Sequence, residues 1–377
     1  MTAGAGHRRA AEALAQAARD TLPGVEVCCQ DLLDDMPGWL RRGYPLTYYF
    51  LVRHLPAVWG SCFKLFDSPA IFPIVQPIRH AWNLLMGQRF LQRLRKDAPS
   101  CIVVTHFFPA DLLGAAKRAG WLNAPLVVVI TDVHPHCFWL SASADAYVLA
   151  TPESAKAAQH RGVNVAKLHA LGIPISGDFS AALDQQAVRA RLGLASDRLT
   201  VLVTSGGTTI GPFETVVNAL IDLEKRISDR VQLLIVCGDS AHVRQRIEDR
   251  ARKSAMPIKV FGFVDTMPEL MASSDVIVAK SGGLTVTEAL GRGLPLVLYH
   301  AIPGQEFSNA RYVSRYGAAI MALSPKAVCE AIRGFADDPR KLSLMRDAAR
   351  SLAHPDAARD IISQVVTPFL QKAVHDA

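Results

Sequence analysis

From residue 199 onward, six apolar runs alternate with helical stretches: TVLVTS, VQLLIVCG, IKVFGFV, DVIVAKS, LPLVLYH and GAAIMA. Their Val, Ile and Leu residues come in unbroken series, which suits parallel strands buried on both faces. Strands alternating with helices specify a doubly wound α/β layer. The first half repeats the rhythm less regularly, with VEVCCQ, CIVVTH, LVVVIT, DAYVLA and KLHALG as its strands. At 377 residues the chain exceeds what one hydrophobic core usually organises. The expected architecture is therefore two Rossmann-like doubly wound domains facing across a cleft, where ligands of such sheets bind. GIPISGDFS (172–180) is the best linker, giving domains over 1–176 and 177–353 and a C-terminal helix over 354–377 that packs back on the first domain.

Half the residues are apolar and a fifth are charged, the composition of a folded protein. No apolar run reaches the roughly 18–20 residues of a membrane-spanning helix. The first twenty residues carry charge throughout and lack the hydrophobic middle of a signal peptide, so a cytoplasmic protein is expected. The seven cysteines form no CxxC pair, which suits reduced thiols better than a disulfide framework or zinc site. His134-Pro-His136 beside Asp132 is a poor metal site, because no third ligand with sensible spacing is evident.

Residues 36–96 break the rhythm. They carry no strand signal but are dense in aromatics, among them Trp39, Tyr44, Trp59, Phe63, Phe66, Phe72 and Trp82. Arg41, Arg42, Arg53, Lys64, Arg79, Arg89, Arg93, Arg95 and Lys96 are interleaved with them. Rings with basic neighbours suit a membrane interface, where each cation gains ~1 kcal/mol from anionic lipid. The plainer alternative is a helical insertion whose rings pack inward. The formal net charge of +7 is concentrated in this aromatic region and no nucleic-acid motif appears, so no nucleic-acid partner is expected.

Two glycine turns follow strands in the second half. Ser205-Gly206-Gly207-Thr208 follows TVLVT, and Ser281-Gly282-Gly283 follows DVIVAK. Such turns let a pyrophosphate approach main-chain N–H groups and a helix dipole. Thr285-x-x-Glu288 has the spacing of a capping box, and Glu288 also suits a carboxylate accepting ribose hydroxyls; spacing leaves both open. Gln305 and Glu306, after Ala-Ile-Pro-Gly, either read sugar hydroxyls or serve as helix-start polar residues. In the first half GAGHRRAAEAL (4–14) places His7 at a helix start, while His106 and Asp132 follow strands and point to the cleft edge.

Together these blocks resemble the GT-B glycosyltransferases of family 28, most closely its diacylglycerol glycosyltransferases and monogalactosyldiacylglycerol synthases. GAGHRRAAEAL, THFFPADLL (105–113), TDVHPHCFW (131–139) and LGIPISGDF (171–179) resemble blocks of that family in order. So do TSGG (204–207), FGFVDTMPELMASSD (261–275), KSGGLTVTEALGRGLPLV (280–297) and PGQEFSNA (303–310). The resemblance implies a UDP-hexose donor site in the C-terminal domain, with uracil on the main chain near Phe263 and Val264 and ribose on Glu288. The diphosphate would lie over Ser205, Gly206, Gly207, Ser281, Gly282 and Gly283, and the hexose would meet Gln305, Glu306 and Asn309. His7 would be the catalytic base, with Asp132 orienting it or binding the acceptor. His106, His136 and Trp139 would serve the acceptor, and Trp39, Arg41, Arg42, Tyr44, Arg53 and Trp59 the membrane.

The implied reaction is inverting transfer of glucose or galactose to diacylglycerol by an enzyme peripheral to the inner face of an anionic cell membrane, with no cofactor or metal. Transfer of GlcNAc to a polyprenyl-pyrophosphate-linked sugar, or a non-catalytic nucleotide-sugar-binding subunit, are the alternatives. Two departures stand out. Thr2 takes the place of an aspartate that plant-like members carry before the glycine loop. The family also has a strand before that loop, so the first domain is expected to lack its first strand and the true start to lie upstream.

Overall fold

The computed structural model describes residues 5–140, 143–206, 211–223 and 227–375. The chain divides into two units: 1–176 with 303–305 and 355–377, and 177–302 with 306–354. The first unit holds a parallel four-stranded sheet in the order β1 (Ile102–Val104), β2 (Leu126–Val129), β3 (Ala146–Leu149), β4 (Leu168–Ala170). Helix α1 (Ala5–Thr21) covers one face. The C-terminal segment, helical from Ala357 to Ile361 with a wider π turn over Ile362–Val366, packs on the same face. Ala13, Leu14 and Ala18 meet Val127, Val129, Val148, Ile361, Ile362 and Val365 there.

VEVCCQ does not form a strand: residues 25–30 carry no regular structure. A strand exists by its ladder, and among the described residues β1 pairs with β2 while nothing pairs with 25–30. Val27 still packs against the α1 cluster, so the apolar signal reports burial rather than pairing.

The second unit is more regular. Its strands are β5 (Leu199–Thr204), β6 (Val231–Val236), β7 (Ile258–Phe261), β8 (Val276–Lys280), β9 (Leu296–His300) and β10 (Ala319–Met321). All are parallel, in the order β10-β9-β8-β5-β6-β7. The chain thus builds outward from β5 in one direction, returns, and builds outward from β8 in the other. Val201, Val203, Val276, Val278 and Val297 enter one core, while Leu202, Leu234, Ile277 and Leu298 are buried too. That is why these strands read as unbroken apolar runs.

The insertion is helical: α2 (Gly38–His54), α3 (Pro56–Phe66), α4 (Phe72–Met86) and α5 (Gln88–Asp97), followed after β1 by α6 (Phe107–Arg118). Asp111 of α6 is fully buried. It accepts from His80 at 2.9 Å and from Asn83, and pairs with Arg79 at 3.4 Å, so α4 docks by its polar side.

Ile361→Ala should cost about 2–5 kcal/mol, the range for emptying a buried aliphatic site. Hydrogen exchange should show lost protection in both 357–366 and α1; protection unchanged in α1 would mean that the C-terminal segment does not support the first unit.

Candidate active site

In a doubly wound sheet ligands settle at the carboxyl ends of strands where the strand order reverses. Here that point lies between β5 and β8, and the two glycine turns directly follow those strands. Gly206 has φ +73°, a left-handed conformation that favours glycine. Gly207 lies outside the described residues.

Three of the amides in these turns are engaged within the fold. Ser205 N–H donates to the Val236 carbonyl and Ser281 N–H to the His300 carbonyl. Gly206 N–H donates to the Thr204 hydroxyl at 3.1 Å. This corrects the expectation that main-chain N–H groups of all these residues face a diphosphate. The helix Gly283–Gly291 begins immediately after, with Gly282 as its N-cap and no side chain capping it. Its first-turn N–H groups have no partner within the helix.

The same helix rules out the capping box. Thr285 is its third residue rather than its cap, so the Thr285-x-x-Glu288 spacing has no capping geometry. Glu288, 2% exposed, sits one turn further along. Asn309 is buried and its side-chain N–H donates to the Ser281 carbonyl at 3.1 Å, bracing the turn. Glu306 is also buried; its carboxylate accepts the Ile302 N–H at 3.0 Å, the part of a helix-start residue. Gln305 is half-buried at the start of the helix Gln305–Arg315. Phe263 is exposed and Val264 half-buried in the turn after β7.

In the first unit His7 lies in the first turn of α1. Its Nδ1 is 2.7 Å from the Thr105 carbonyl, which can only accept, so Nδ1 carries the proton and Nε2 the lone pair. The Thr131 hydroxyl lies 3.0 Å from Nδ1, and the Thr105 hydroxyl donates to the His7 carbonyl at 2.8 Å. Two threonines that sequence reading passed over therefore fix the ring; their signal was that each ends a strand beside a singled-out residue, His106 or Asp132. Burial lowers the His7 pKa to about 4, although the Thr105 carbonyl pulls it upward. Asp132 is half-buried beside Thr131.

The other histidines serve the fold. His106 caps α6, its Nδ1 accepting the Phe108 N–H, and its ring meets His7 edge-on at 4.6 Å. His136 is buried, with Nε2–H donating to the Phe63 carbonyl and Nδ1 accepting from Phe138 N–H. Trp139 is buried in the core near His7. Both ring nitrogens of His136 are thus spent and Trp139 is enclosed, against the expectation that they meet an acceptor directly.

Asp67, unnoticed in the sequence, forms a different donor cluster from His134, His136 and Asp132: its carboxylate, His136 and Cys137 bring ligand atoms within 4.8 Å of one another. The set does not fit a divalent cation as it stands. Arg161 takes both Asp67 oxygens, at 2.5 and 2.8 Å, and His134 lies 2.6 Å from one of them. Burial alone would raise the Asp67 pKa, but these hydrogen bonds hold it well below the usual carboxylate range. Burial pushes the Cys137 thiol up to about 12, so it remains protonated.

Of the aromatic set, Tyr44 turns inward and stacks on Phe108 at 5.8 Å. Trp59 is half-buried, edge-on to Tyr48. Trp39 is 61% exposed and meets Trp82. Ile74, Ile78, Trp82 and Leu85 are all exposed, at spacings that form one stripe of α4 opposite Arg79, His80 and Asn83. Arg42 and Arg53 are exposed; Arg41 is exposed and pairs with Asp34. Among the described residues no helix is long and apolar enough to cross a membrane.

Two parallel-sheet α/β units of this kind define the GT-B fold class, and the UDP complex of S. aureus MnaA shares that fold. That structure aligns with a TM-score of 0.61 at 15% identity, covering 78% of this chain and 82% of its own. Residues 7–175 match the family described as monogalactosyldiacylglycerol (MGDG) synthase, and 200–361 match the glycosyltransferase family 28 C-terminal domain. Monogalactosyldiacylglycerol synthase 1, chloroplastic, of Arabidopsis thaliana is 30% identical over 95% of this chain and 68% of its own length. A processive diacylglycerol beta-glucosyltransferase of Bacillus pumilus is 29% identical over 75% of this chain and 73% of its own. The chain belongs to the monogalactosyldiacylglycerol synthase family.

Burial lowers the pKa of His7 and of His136 to about 4 each, so the unfolded chain binds protons that the folded chain refuses as pH falls from about 6.5 toward 4. Stability should therefore drop by on the order of a few kcal/mol across that window. Urea midpoints at pH 7 and pH 5 check this, and equal midpoints would show that the two rings are not held neutral.

Proposed function

We propose that this protein transfers glucose or galactose from a UDP-sugar to the free hydroxyl of diacylglycerol, inverting the anomeric centre and forming a membrane glycolipid. What carries this reading is the placement of both glycine turns at the β5/β8 reversal in a chain of this family. The second unit holds the donor: Phe263 and Val264 would place the uracil, Glu288 the ribose, and the start of the helix Gly283–Gly291 the diphosphate. Gln305, at the start of the next helix, would read a sugar hydroxyl. Glu306 and Asn309 act by holding that region in place.

In the reaction the lipid hydroxyl oxygen forms a bond to the anomeric carbon as the bond from that carbon to the phosphate oxygen breaks. UDP departs with the electron pair and the hydroxyl proton passes to His7 Nε2. A ring with a pKa of about 4 is unprotonated at pH 7, and the Nδ1–H bond to Thr105 presents Nε2 as the acceptor. The hydroxyl becomes acidic enough for that transfer only as the new bond forms.

The α4 stripe supports a membrane-docking role for the insertion. A helix anchored by its polar face and bare on its apolar one suits the headgroup boundary better than water. Arg41, Arg42 and Arg53 would face anionic lipid at the inner side of a cell membrane.

Purified protein, diacylglycerol micelles and either UDP-hexose should yield UDP and monohexosyldiacylglycerol; release of UDP without that lipid product would overturn the acceptor. Glu288→Ala should weaken UDP binding by about 10- to 100-fold, the loss of a charged hydrogen-bond partner, as read by calorimetry. Replacing Ile78 and Trp82 by serine, or Arg42 and Arg53 by glutamine, should reduce flotation with anionic vesicles. Flotation that stays constant in both variants would make the insertion an ordinary helical layer.

A further inference from the structure

We propose that Lys280 is a binding residue for the donor diphosphate, its ammonium adding to the positive charge of the helix start at the β5/β8 reversal. This rests on the donor-site reading above. The amides of Ser205, Gly206 and Ser281 donate to Val236, Thr204 and His300, so their partial charges are largely spent inside the fold. A departing UDP needs charge stabilisation at that edge.

Lys280 is the last residue of β8 and lies directly before Ser281-Gly282-Gly283. The β8–β9 register slips there: Ala279 faces Leu298, but Lys280 faces His300, leaving Tyr299 as an extra residue on β9. Such irregularities re-aim a side chain and recur beside active sites. The lysine stem lies against the first glycine turn. A Cβ on Gly206 would stand 3.3 Å from Lys280 Cε and 3.7 Å from Nζ, so the lysine end lies close against this turn, whose φ of +73° favours glycine. The side chain thus links the two turns that flank the reversal.

Only 7% of Lys280 is exposed. An ammonium removed from water is costly unless an anion meets it. The carboxylate that acts on it is Glu306, which also accepts the Ile302 N–H and has Oε1 3.5 Å from where a Gly282 Cβ would stand. Burial lowers the Lys280 pKa while Glu306 draws it back up; burial raises the Glu306 pKa while Lys280 draws it down. His300, opposite Lys280, is kept neutral by burial and by that ammonium. Phosphates bound at the turn would bring further negative charge to this buried cation. On C–O cleavage the β-phosphate gains charge, which the ammonium meets without reorganisation.

The experiment compares UDP with uridine on the full chain, using calorimetry for UDP and ligand-observed NMR for uridine. In the wild type, UDP should bind far more tightly than uridine; equal binding would sink the donor-site reading itself, whatever Lys280 does. In Lys280→Met, UDP affinity should fall by about 10- to 100-fold, the scale of one charge-assisted contact, with uridine within about two-fold. Lys280→Arg should recover part of the UDP preference. An unchanged UDP-to-uridine ratio in Lys280→Met, or loss of both ligands together, would show that the lysine only supports the turn and would overturn the proposal.

Discussion

Where the order of parallel strands reverses, the loops after the two central strands leave in opposite directions and open a space that neither fills. Between β5 and β8 that space is bounded by glycine turns, and a Cβ at Gly206 would press closely on the end of the Lys280 stem. The rest of the donor unit follows from this constraint. Asn309 and Glu306 brace the rim from the next helix, the helix Gly283–Gly291 begins at the rim, and Asp275 locks the far end of the central pair. Its carboxylate accepts the Thr200 N–H and pairs with Arg189.

Much of this was legible in the sequence, for physical reasons that differ between the halves. Strands β5 to β10 are buried on both faces, so their apolar runs carry an unambiguous signal. VEVCCQ carried a similar signal and failed, since β-branched residues report burial and cannot report whether a neighbouring strand exists. His7 was visible from its glycine loop, but Thr105 and Thr131, which set its tautomer, are ordinary strand-end threonines until the sheet brings them together. Asp67 and Asp111 were invisible for the same reason: their partners lie far along the chain. Lys280 left a trace, a cation closing the otherwise apolar run VIVAK, which reads as a strand-end solubility residue unless burial is known.

The insertion shows why composition alone could not choose between its two readings. The exposed apolar side chains and the inward polar ones lie on opposite sides of one helix. Arg79, His80 and Asn83 of α4 face the buried Asp111, so charge is internal where a soluble helix would place aliphatics. The aliphatics are outside. Tyr44 meanwhile follows the inward reading, and the Arg79 guanidinium lies 3.6 Å from the centre of the Phe138 ring, tying the insertion to the 131–139 segment.

The first unit is discontinuous along the chain, since residues 355–377 complete it after the whole of the second has been made. During synthesis α1 and the β2–β3 face must wait, partly uncovered, until residues 357–366 leave the ribosome. Order of folding is therefore inverted relative to order of synthesis: the donor unit can close first, although it is encoded second. A fragment ending at the interdomain linker would leave exposed the surface that Ile361, Ile362 and Val365 cover.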